Sequence, residues 1–328
     1  MHIRNKPNTQ QRARVSRRRM SGYPLAGGVA GATGTTFSSS INLIPNVWER
    51  LTNLAISHGE ITGVPTGYSR LDQLTGGLQP SDLIIVAGRP TMGKTAFALG
   101  IAMNAAVEYH IPVCVFSLDM SKEHLMTRML AARALVASYR LRRPAALSDE
   151  DWLRLQDAAN VLSSAPFFID DTPALSTLEL CARIRQTKAE HCIGLVIVDS
   201  LQQIMRPNRC MNCRQLEIAD IARSLKDFAK EMDIPIMVLS QLSRRVDKRA
   251  YGFNYPTLSD LRDCGTIEQY ADVILFIYRD DYYKYQKPSE RPLVGDAEII
   301  IAKNRNGPIG AVELAYNSMY TTFEDKDC

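Results

Sequence analysis

The sequence has no long apolar run. None approaches the roughly eighteen residues that cross a bilayer, and no secretory segment is present. The seven cysteines are scattered and odd in number, which argues against a disulfide framework. Cys210 and Cys213 have the spacing of a metal-binding pair, but no second Cys or His pair at usable spacing accompanies them. A chance pair in a loop is therefore the favoured interpretation. We predict a cytoplasmic protein that has no membrane partner.

Acidic residues are missing from the first 48 positions, which carry seven of the 39 basic residues. The rest of the chain holds 32 basic and 35 acidic residues, so nucleic-acid binding there requires local patches of positive charge. Residues 1–43 are rich in Arg, Ser, Thr and Gly and are predicted to be a disordered basic leader. A solvated tail, a nucleic-acid-binding arm and an organelle transit peptide all fit this composition.

Helical and extended patterns alternate along the remaining chain. Val47, Leu51 and Leu54 recur behind Pro45, which predicts a linker helix within residues 44–62 that ends near Gly59. Six apolar runs predict buried strands, namely Leu83–Ala87, Val113–Phe116, Leu195–Val198, Ile236–Leu239, Val273–Ile277 and Glu298–Ala302. With helices between them, these strands predict an α/β domain over residues 63–328. Its mostly parallel, twisted sheet has helices on both faces and binds ligands at the carboxyl ends of the strands.

A phosphate-binding pattern follows the first predicted strand. Gly88, Gly93, Lys94 and Thr95 satisfy G-x-x-x-x-G-K-[ST], between an apolar run and a helix predicted to open at Ala96. Backbone N–H groups of such a loop wrap a phosphate, the lysine reaches the β- and γ-phosphates, and the hydroxyl ligates Mg²⁺. The predicted nucleotide-binding loop comprises Gly88, Arg89, Pro90, Thr91, Met92, Gly93, Lys94, Thr95 and Ala96.

Polar side chains stand where three other predicted strands end. Asp199 follows Val196–Val198 and is predicted to complete a Mg²⁺ site with Thr95. Asp119 follows another strand and is predicted to activate the attacking water, although a capping network with Ser121 is the alternative. Gln241 ends a further strand and is predicted to sense the γ-phosphate; a plain polar loop residue is the alternative.

Positive charge clusters beyond these strand ends. Arg244 and Arg245 begin a long basic segment, and charge gathered at one edge suits a nucleic-acid backbone, although solvated charge is the default interpretation. Lys303 and Arg305 follow the last predicted strand on a turn. Two cations held there can neutralise phosphate charge in a transition state.

Taken together, these segments resemble the replicative DNA helicases of the DnaB family. The resemblance covers roughly residue 44 to the C-terminus and is carried by PTGYSRLDQLTGGL, LIIVAGRPTMGKTAFAL, VFSLDMSKEHL, LVIVDSLQQI, IPIMVLSQLSRRVDKR, TLSDLRDCGTIEQYADVILFIYRDDYY and AEIIIAKNRNGPIG. It implies a RecA-like P-loop ATPase core that assembles into a six-membered ring around single-stranded DNA and uses ATP and Mg²⁺. Other replisome proteins are possible partners.

The resemblance also implies residue roles. Lys94, Thr95 and Asp199 would bind MgATP, and Gln241 would couple the γ-phosphate to the DNA loops. Lys303 and Arg305 would act on the neighbouring subunit's nucleotide, and the linker helix would dock on the adjacent subunit. The loop that would hold the DNA backbone matches Arg262, Asp263 and Gly265.

Two departures from the family stand out. The family's strand-end motif reads S-L-E-M with a glutamate base, whereas this chain has the shorter Asp119. The leader also resembles nothing in the helical N-terminal domain that family members carry. Two alternatives stay open, namely a truncated relative that binds nucleotide and DNA without unwinding, and a RecA/RadA-like recombination ATPase. The stretch from Ser259 to Tyr283 favours the helicase.

Overall fold

The computed structural model describes residues 39–56, 61–205, 214–249, 254–264, 267–285 and 290–326. It divides into two units after Ile56. No helix among these residues is both long and apolar enough to cross a bilayer.

The first unit contains one described element, helix α1 (Ser40–Ile56). It begins four residues before the predicted start of the linker helix, so its first residues lie within the stretch assigned to the leader. Pro45 lies inside the helix rather than before it, because the apolar face continues on its N-terminal side. Ile41, Ile44 and Trp48 follow helical spacing and are 79%, 63% and 69% exposed. Residues 1–38 of the predicted leader lie outside the described residues.

The second unit holds the remaining elements. Its helices are α2 (Ser69–Thr75), α3 (Lys94–Met103), α4 (Lys122–Ala134), α5 (Asp149–Ser164), α6 (Thr177–His191), α7 (Arg214–Met232), α8 (Ile267–Tyr270) and α9 (Asp280–Lys284). Its strands are β1 (Leu83–Gly88), β2 (Val113–Ser117), β3 (Phe167–Asp170), β4 (Leu195–Asp199), β5 (Ile236–Gln241), β6 (Val273–Tyr278), β7 (Val294–Asn304), β8 (Gly310–Asn317) and β9 (Thr322–Asp325).

These strands form one nine-stranded sheet in the order β3-β2-β4-β5-β1-β6-β7-β8-β9. The strands from β3 to β6 in that order are parallel, and β7, β8 and β9 continue the sheet antiparallel. All six predicted strands are present. The prediction missed β3, β8 and β9, which are short or alternate buried and exposed side chains and so lack a continuous apolar run.

Two apolar cores, one on each face, hold the sheet between helices. Ile84 and Val86 of β1 point into the core formed with α2–α5, and Leu83 and Ile85 point into the core formed with α6–α8. This alternation is what a strand covered on both faces requires. Apolar side chains of α7, among them Ile218, Ala222 and Leu225, lie in the second core, which confirms the doubly wound α/β arrangement.

Helix boundaries follow the capping chemistry of the sequence. Ser121 caps α4 by accepting a hydrogen bond from the His124 N–H at 3.3 Å. That helix ends at Ala134, because Leu135 takes a left-handed conformation with φ 52°. A capping box of Ser148 and Asp151 opens α5.

Candidate active site

The loop between β1 and α3 forms the floor of the candidate site. Helix α3 starts at Lys94, two residues before the predicted opening at Ala96, so its first N–H groups face the loop. Gly93 has φ +98°, and a Cβ there would lie 2.9 Å from the ring of Phe323. Glycine is therefore needed at this position for both backbone angle and space. Met92 is buried, so it supports the loop from the core and offers only its backbone to a ligand.

The ammonium group of Lys94 lies over this loop. Its Nζ donates hydrogen bonds to the carbonyl oxygens of Gly88 at 3.0 Å and Arg89 at 3.1 Å. Burial lowers the pKa of Lys94 to about 8, against the opposing effect of the Asp199 charge. A half-buried cation held by two neutral carbonyls is well placed to bind an anion entering the loop.

Thr95 and Asp199 meet beside the loop, at the carboxyl end of β4. The Thr95 hydroxyl donates to Asp199 Oδ2 at 2.6 Å. Burial raises the pKa of Asp199, and the Asp119 charge adds to that effect, while the Thr95 hydrogen bond and the Lys94 charge oppose it. One hydroxyl and one carboxylate leave the remaining positions of an octahedral ion to water and phosphate oxygens, which is how proteins hold Mg²⁺. The donor set fits that ion.

Asp119 lies at the same edge, next to the strand that carries Asp199. Ser117 pairs with Asp199 in the sheet, and the Leu118 N–H donates to the Asp199 carbonyl at 2.7 Å. The Asp119 side chain is exposed, and its Oδ1 accepts a hydrogen bond from Gln203 Nε2 at 2.9 Å. In the described contacts Ser121, not Asp119, caps α4, so the Asp119 carboxylate is not the cap of that helix.

Gln241 and the guanidinium of Arg89 link the loop to the next strand. Gln241 is paired with Gly88 in the sheet, which brings it beside the loop as predicted. Arg89 is buried, and its guanidinium binds both carboxylate oxygens of Asp247 and the Leu242 carbonyl. The Arg89 side chain therefore ties the loop to the segment after β5, and only its backbone is available to a nucleotide.

Lys303 and Arg305 lie near the amino ends of the parallel strands, whereas the loop lies at their carboxyl ends. Strand β7 runs antiparallel to β6, and Lys303 is paired with Ile274 near the start of β6. Lys303 Nζ donates to the carbonyl oxygens of Glu268 at 2.5 Å and Ala271 at 2.7 Å. Arg305 Nη2 donates to the Gln269 carbonyl at 2.7 Å. The structure thus does not bring these two cations to the loop of their own chain.

A cluster of buried charged side chains lies at the same amino ends of the strands and contacts Arg305. Arg305 Nη1 lies 3.2 Å and Lys226 Nζ 2.6 Å from Asp272, which is 4% exposed and also accepts from the Leu83 N–H. Lys226 lies 3.8 Å from Asp82 as well. Burial and then the charge of Asp272 raise the pKa of Asp82 to about 6.

The predicted DNA-contacting residues are placed only in part. Arg244 and Arg245 are exposed just after β5, beside the turn that binds Arg89. Arg262 and Asp263 belong to a 3-10 helix, Leu258–Cys264, but their side chains are not among those described. Gly265, like Cys210 and Cys213, lies outside the described residues.

Comparison with known proteins identifies the family. The sequence model for the DnaB-like helicase C-terminal domain matches residues 63–325 of this chain. The chain belongs to this family. It is 44% identical over 287 residues to the replicative DNA helicase DnaB of Geobacillus stearothermophilus, and the alignment covers 88% of this chain and 62% of that protein. It is 45% identical over 270 residues to the DnaB of Pasteurella multocida, covering 82% of this chain and 56% of the relative.

Solved structures agree with the DnaB-like assignment. A solved ATPase domain superposes with a TM-score of 0.81 at 35% identity, covering 89% of this chain and all of that domain. A DnaB-like replicative helicase studied for its interactions with primase superposes with a TM-score of 0.77 at 35% identity, covering 89% of this chain and 68% of that one. The RecA-like fold is thereby confirmed, and the chain spans about 62% of the length of the first relative.

Sequence reasoning missed three residues of this DnaB-like domain that contact the candidate site residues. Gln203 binds Asp119, Asp247 binds Arg89, and Asp272 binds Arg305. The Asp272 position at the start of an apolar strand is a weak signal, whereas Gln203 and Asp247 carry none, because their partners are remote in sequence. The site as a whole offers a glycine-containing loop at a helix N-terminus, a hydroxyl and a carboxylate of the kind that hold Mg²⁺, and an exposed carboxylate, which are the kinds of group that phosphoryl transfer to water requires.

Proposed function

We propose that this DnaB-like domain hydrolyses MgATP and is the motor of a ring-forming replicative DNA helicase that moves along single-stranded DNA. The observation that carries the proposal is the contact of Thr95 with Asp199 beside the Gly88–Gly93 loop. It supports Mg²⁺ binding by these two side chains, next to a lysine that has no carboxylate partner within hydrogen-bond distance among its described contacts.

Each group has a role in the proposed reaction. Thr95 and Asp199 would hold Mg²⁺, which neutralises charge on the β- and γ-phosphates when bound. Lys94 would exchange its two carbonyl partners for phosphate oxygens, and the loop N–H groups would orient them. Asp119 would accept a proton from the attacking water. Gln241 would report the γ-phosphate to the segment that begins with Arg244.

The two cations at the far edge support a site shared between subunits. Lys303 and Arg305 are distant from the loop of their own chain, so they would act on a nucleotide bound by a neighbour. Head-to-tail contacts that repeat around an axis close into a ring. The exposed stripe of Ile41, Ile44 and Trp48 on α1 would bind a second copy of the chain.

Single-stranded DNA is the proposed nucleic-acid partner. Arg244 and Arg245 are exposed and would contact phosphates, together with Arg262, Asp263 and Gly265 of the following segment. Because the Arg89–Asp247 pair connects the phosphate-binding loop to the turn after Arg245, nucleotide and DNA would act on adjoining parts of the chain. The primase contact named for one solved relative is a further candidate partnership.

One titration tests this function. ATP turnover is measured with and without single-stranded DNA on the full chain, and light scattering gives the mass of the same sample. We expect a hexamer whose turnover requires Mg²⁺, rises with DNA and is lost in Lys94→Ala. Strand separation of a forked duplex is then measured. Turnover without unwinding would support the truncated relative, and filaments on DNA would support a RecA-like recombination ATPase.

A further inference from the structure

The side chain of Gln203 contacts the carboxylate proposed as the catalytic base. Its Nε2 donates to Asp119 Oδ1 at 2.9 Å. No other hydrogen bond to the Asp119 side chain is described, and the side chain is exposed. The orientation of this carboxylate therefore depends on one amide.

The backbone that carries Gln203 is fixed. Gln203 ends a 3-10 turn, Leu201–Gln203, that begins two residues after the Mg²⁺ ligand Asp199. Leu201 is 0% and Ile204 is 1% exposed, so apolar side chains anchor both ends of the turn in the second core. Gln202 Nε2 donates to Ser240 Oγ at 3.0 Å, which also holds the turn against β5. Gln203 thus has a rigid base from which to orient its neighbour.

The short side chain of Asp119 requires a partner that fixes its orientation. An aspartate ends one methylene, or about 1.5 Å, closer to the backbone than a glutamate, and a misplacement near 1 Å can lower a rate about a hundredfold. Fixing Oδ1 leaves Oδ2 as the oxygen that faces solvent and can accept a proton. We propose that Gln203 is a positioning residue that holds Asp119 Oδ2 at the attacking water. This inference rests on the proposed ATPase function.

The step in which this geometry acts is hydrolysis. The water oxygen forms a bond to the γ-phosphorus while the bond to the bridging oxygen of ADP breaks, and ADP leaves with that electron pair. The water proton passes to Asp119 Oδ2 and then to solvent. Gln203 keeps its own proton throughout, and its hydrogen bond to Oδ1 sets only the direction of the second oxygen.

The test is a double-mutant cycle on the full chain. Gln203→Met keeps the side-chain length and removes the donor. It is combined with Asp119→Glu, whose longer side chain reaches the water without help. We expect Gln203→Met to lower kcat about tenfold with the KM for ATP changed less than about twofold. In the Asp119→Glu background the same change should alter kcat by less than about twofold.

A matched control is available on α6. Gln186 Nε2 donates to Glu190 Oε1 at 3.1 Å on an exposed surface, so Gln186→Met removes the same kind of bond away from the site. We expect unchanged kcat, and we expect the melting temperatures of both methionine variants to match that of the parent. Equal loss of kcat in both Asp119 backgrounds, or a lower melting temperature with unchanged kcat, would mean that Gln203 is only structural.

The two proposals fail in distinguishable ways. An active parent in which Gln203→Met has no effect on kcat overturns the inference about Gln203 alone. A parent without ATP turnover, or full turnover in Asp119→Asn, overturns the proposed role of Asp119 and this inference with it.

Discussion

Mixing two inactive variants tests whether Arg305 acts across a subunit interface. Arg305→Ala removes the cation at one edge of the sheet, and Lys94→Ala removes the lysine at the other. The Arg305 N–H donates to the Asp272 carbonyl, whereas the loop glycine Gly88 lies against Ile277, five residues further along the same segment. At about 3.3 Å per residue these points are about 16 Å apart.

That separation argues against an action of Arg305 on its own nucleotide. A fully extended arginine side chain spans about 7 Å from its Cα, and this one is turned the other way, toward Gln269 and Asp272. An arginine supplied by a neighbour contributes about 10³–10⁵ to the rate of phosphoryl transfer. Each variant alone should therefore have almost no turnover.

In a ring assembled at random from equal amounts of the two variants, about a quarter of the interfaces pair an intact Lys94 with an intact Arg305. We expect turnover to rise from near zero toward about that fraction of the parental rate when the subunits are mixed and allowed to exchange. The control mixes Lys94→Ala with Asp199→Asn. Both changes damage the same half of the interface, so no active pair can form. Absence of recovery with Arg305→Ala at every ratio would show that the cation works within its own chain or is only structural.

Three further predictions concern other parts of the chain. Asp119→Glu should raise kcat about tenfold or more with nearly unchanged ATP affinity, and Asp119→Asn should abolish turnover; a steady-state assay in which the glutamate variant is no faster contradicts this expectation. A chain that starts at Thr62 lacks the exposed stripe of α1 and should be mainly monomeric and nearly inactive, and a hexamer by light scattering would disprove that role. Asp82 has a pKa of about 6 in the fold against about 3.8 unfolded, so the folded state binds more protons between these values and its stability falls as pH rises through that window. Asp82→Asn should accordingly stabilise the domain by about 1–2 kcal/mol at pH 7.5 and have little effect near pH 4, as measured by urea unfolding at both pH values.

The strands that surround the site could be predicted because they are buried on both faces. Val196–Val198 and Leu83–Ala87 are continuous apolar runs, and the parallel arrangement brings their carboxyl ends together. Because the carboxyl ends of parallel strands lie together, the sequence alone predicted that Thr95, Asp199 and Gln241 lie near one another. Strand β8 escaped prediction, because its buried and exposed side chains alternate and leave no continuous apolar run.

The supporting contacts could not be predicted from the sequence. Lys303 binds two backbone carbonyls of the segment around α8, and a carbonyl is present at every position of any sequence. Gln203 reaches Asp119 across 84 positions, through a turn that no periodic pattern marks. The start of α1 was misplaced for another reason, since Pro45 favours a first helical turn but here occupies the interior.

Because strand β7 runs antiparallel to β6, the two halves of the proposed site lie at opposite ends of the strands of one sheet. On the proposed arrangement, a single subunit has a loop that binds nucleotide, but its own Arg305 cannot contact that nucleotide. Such a subunit would bind ATP without hydrolysing it until a second copy of the chain binds. ATP hydrolysis would therefore begin only with assembly, so unassembled copies would consume little of a cell's ATP. Dilution that dissociates the ring would by itself stop hydrolysis.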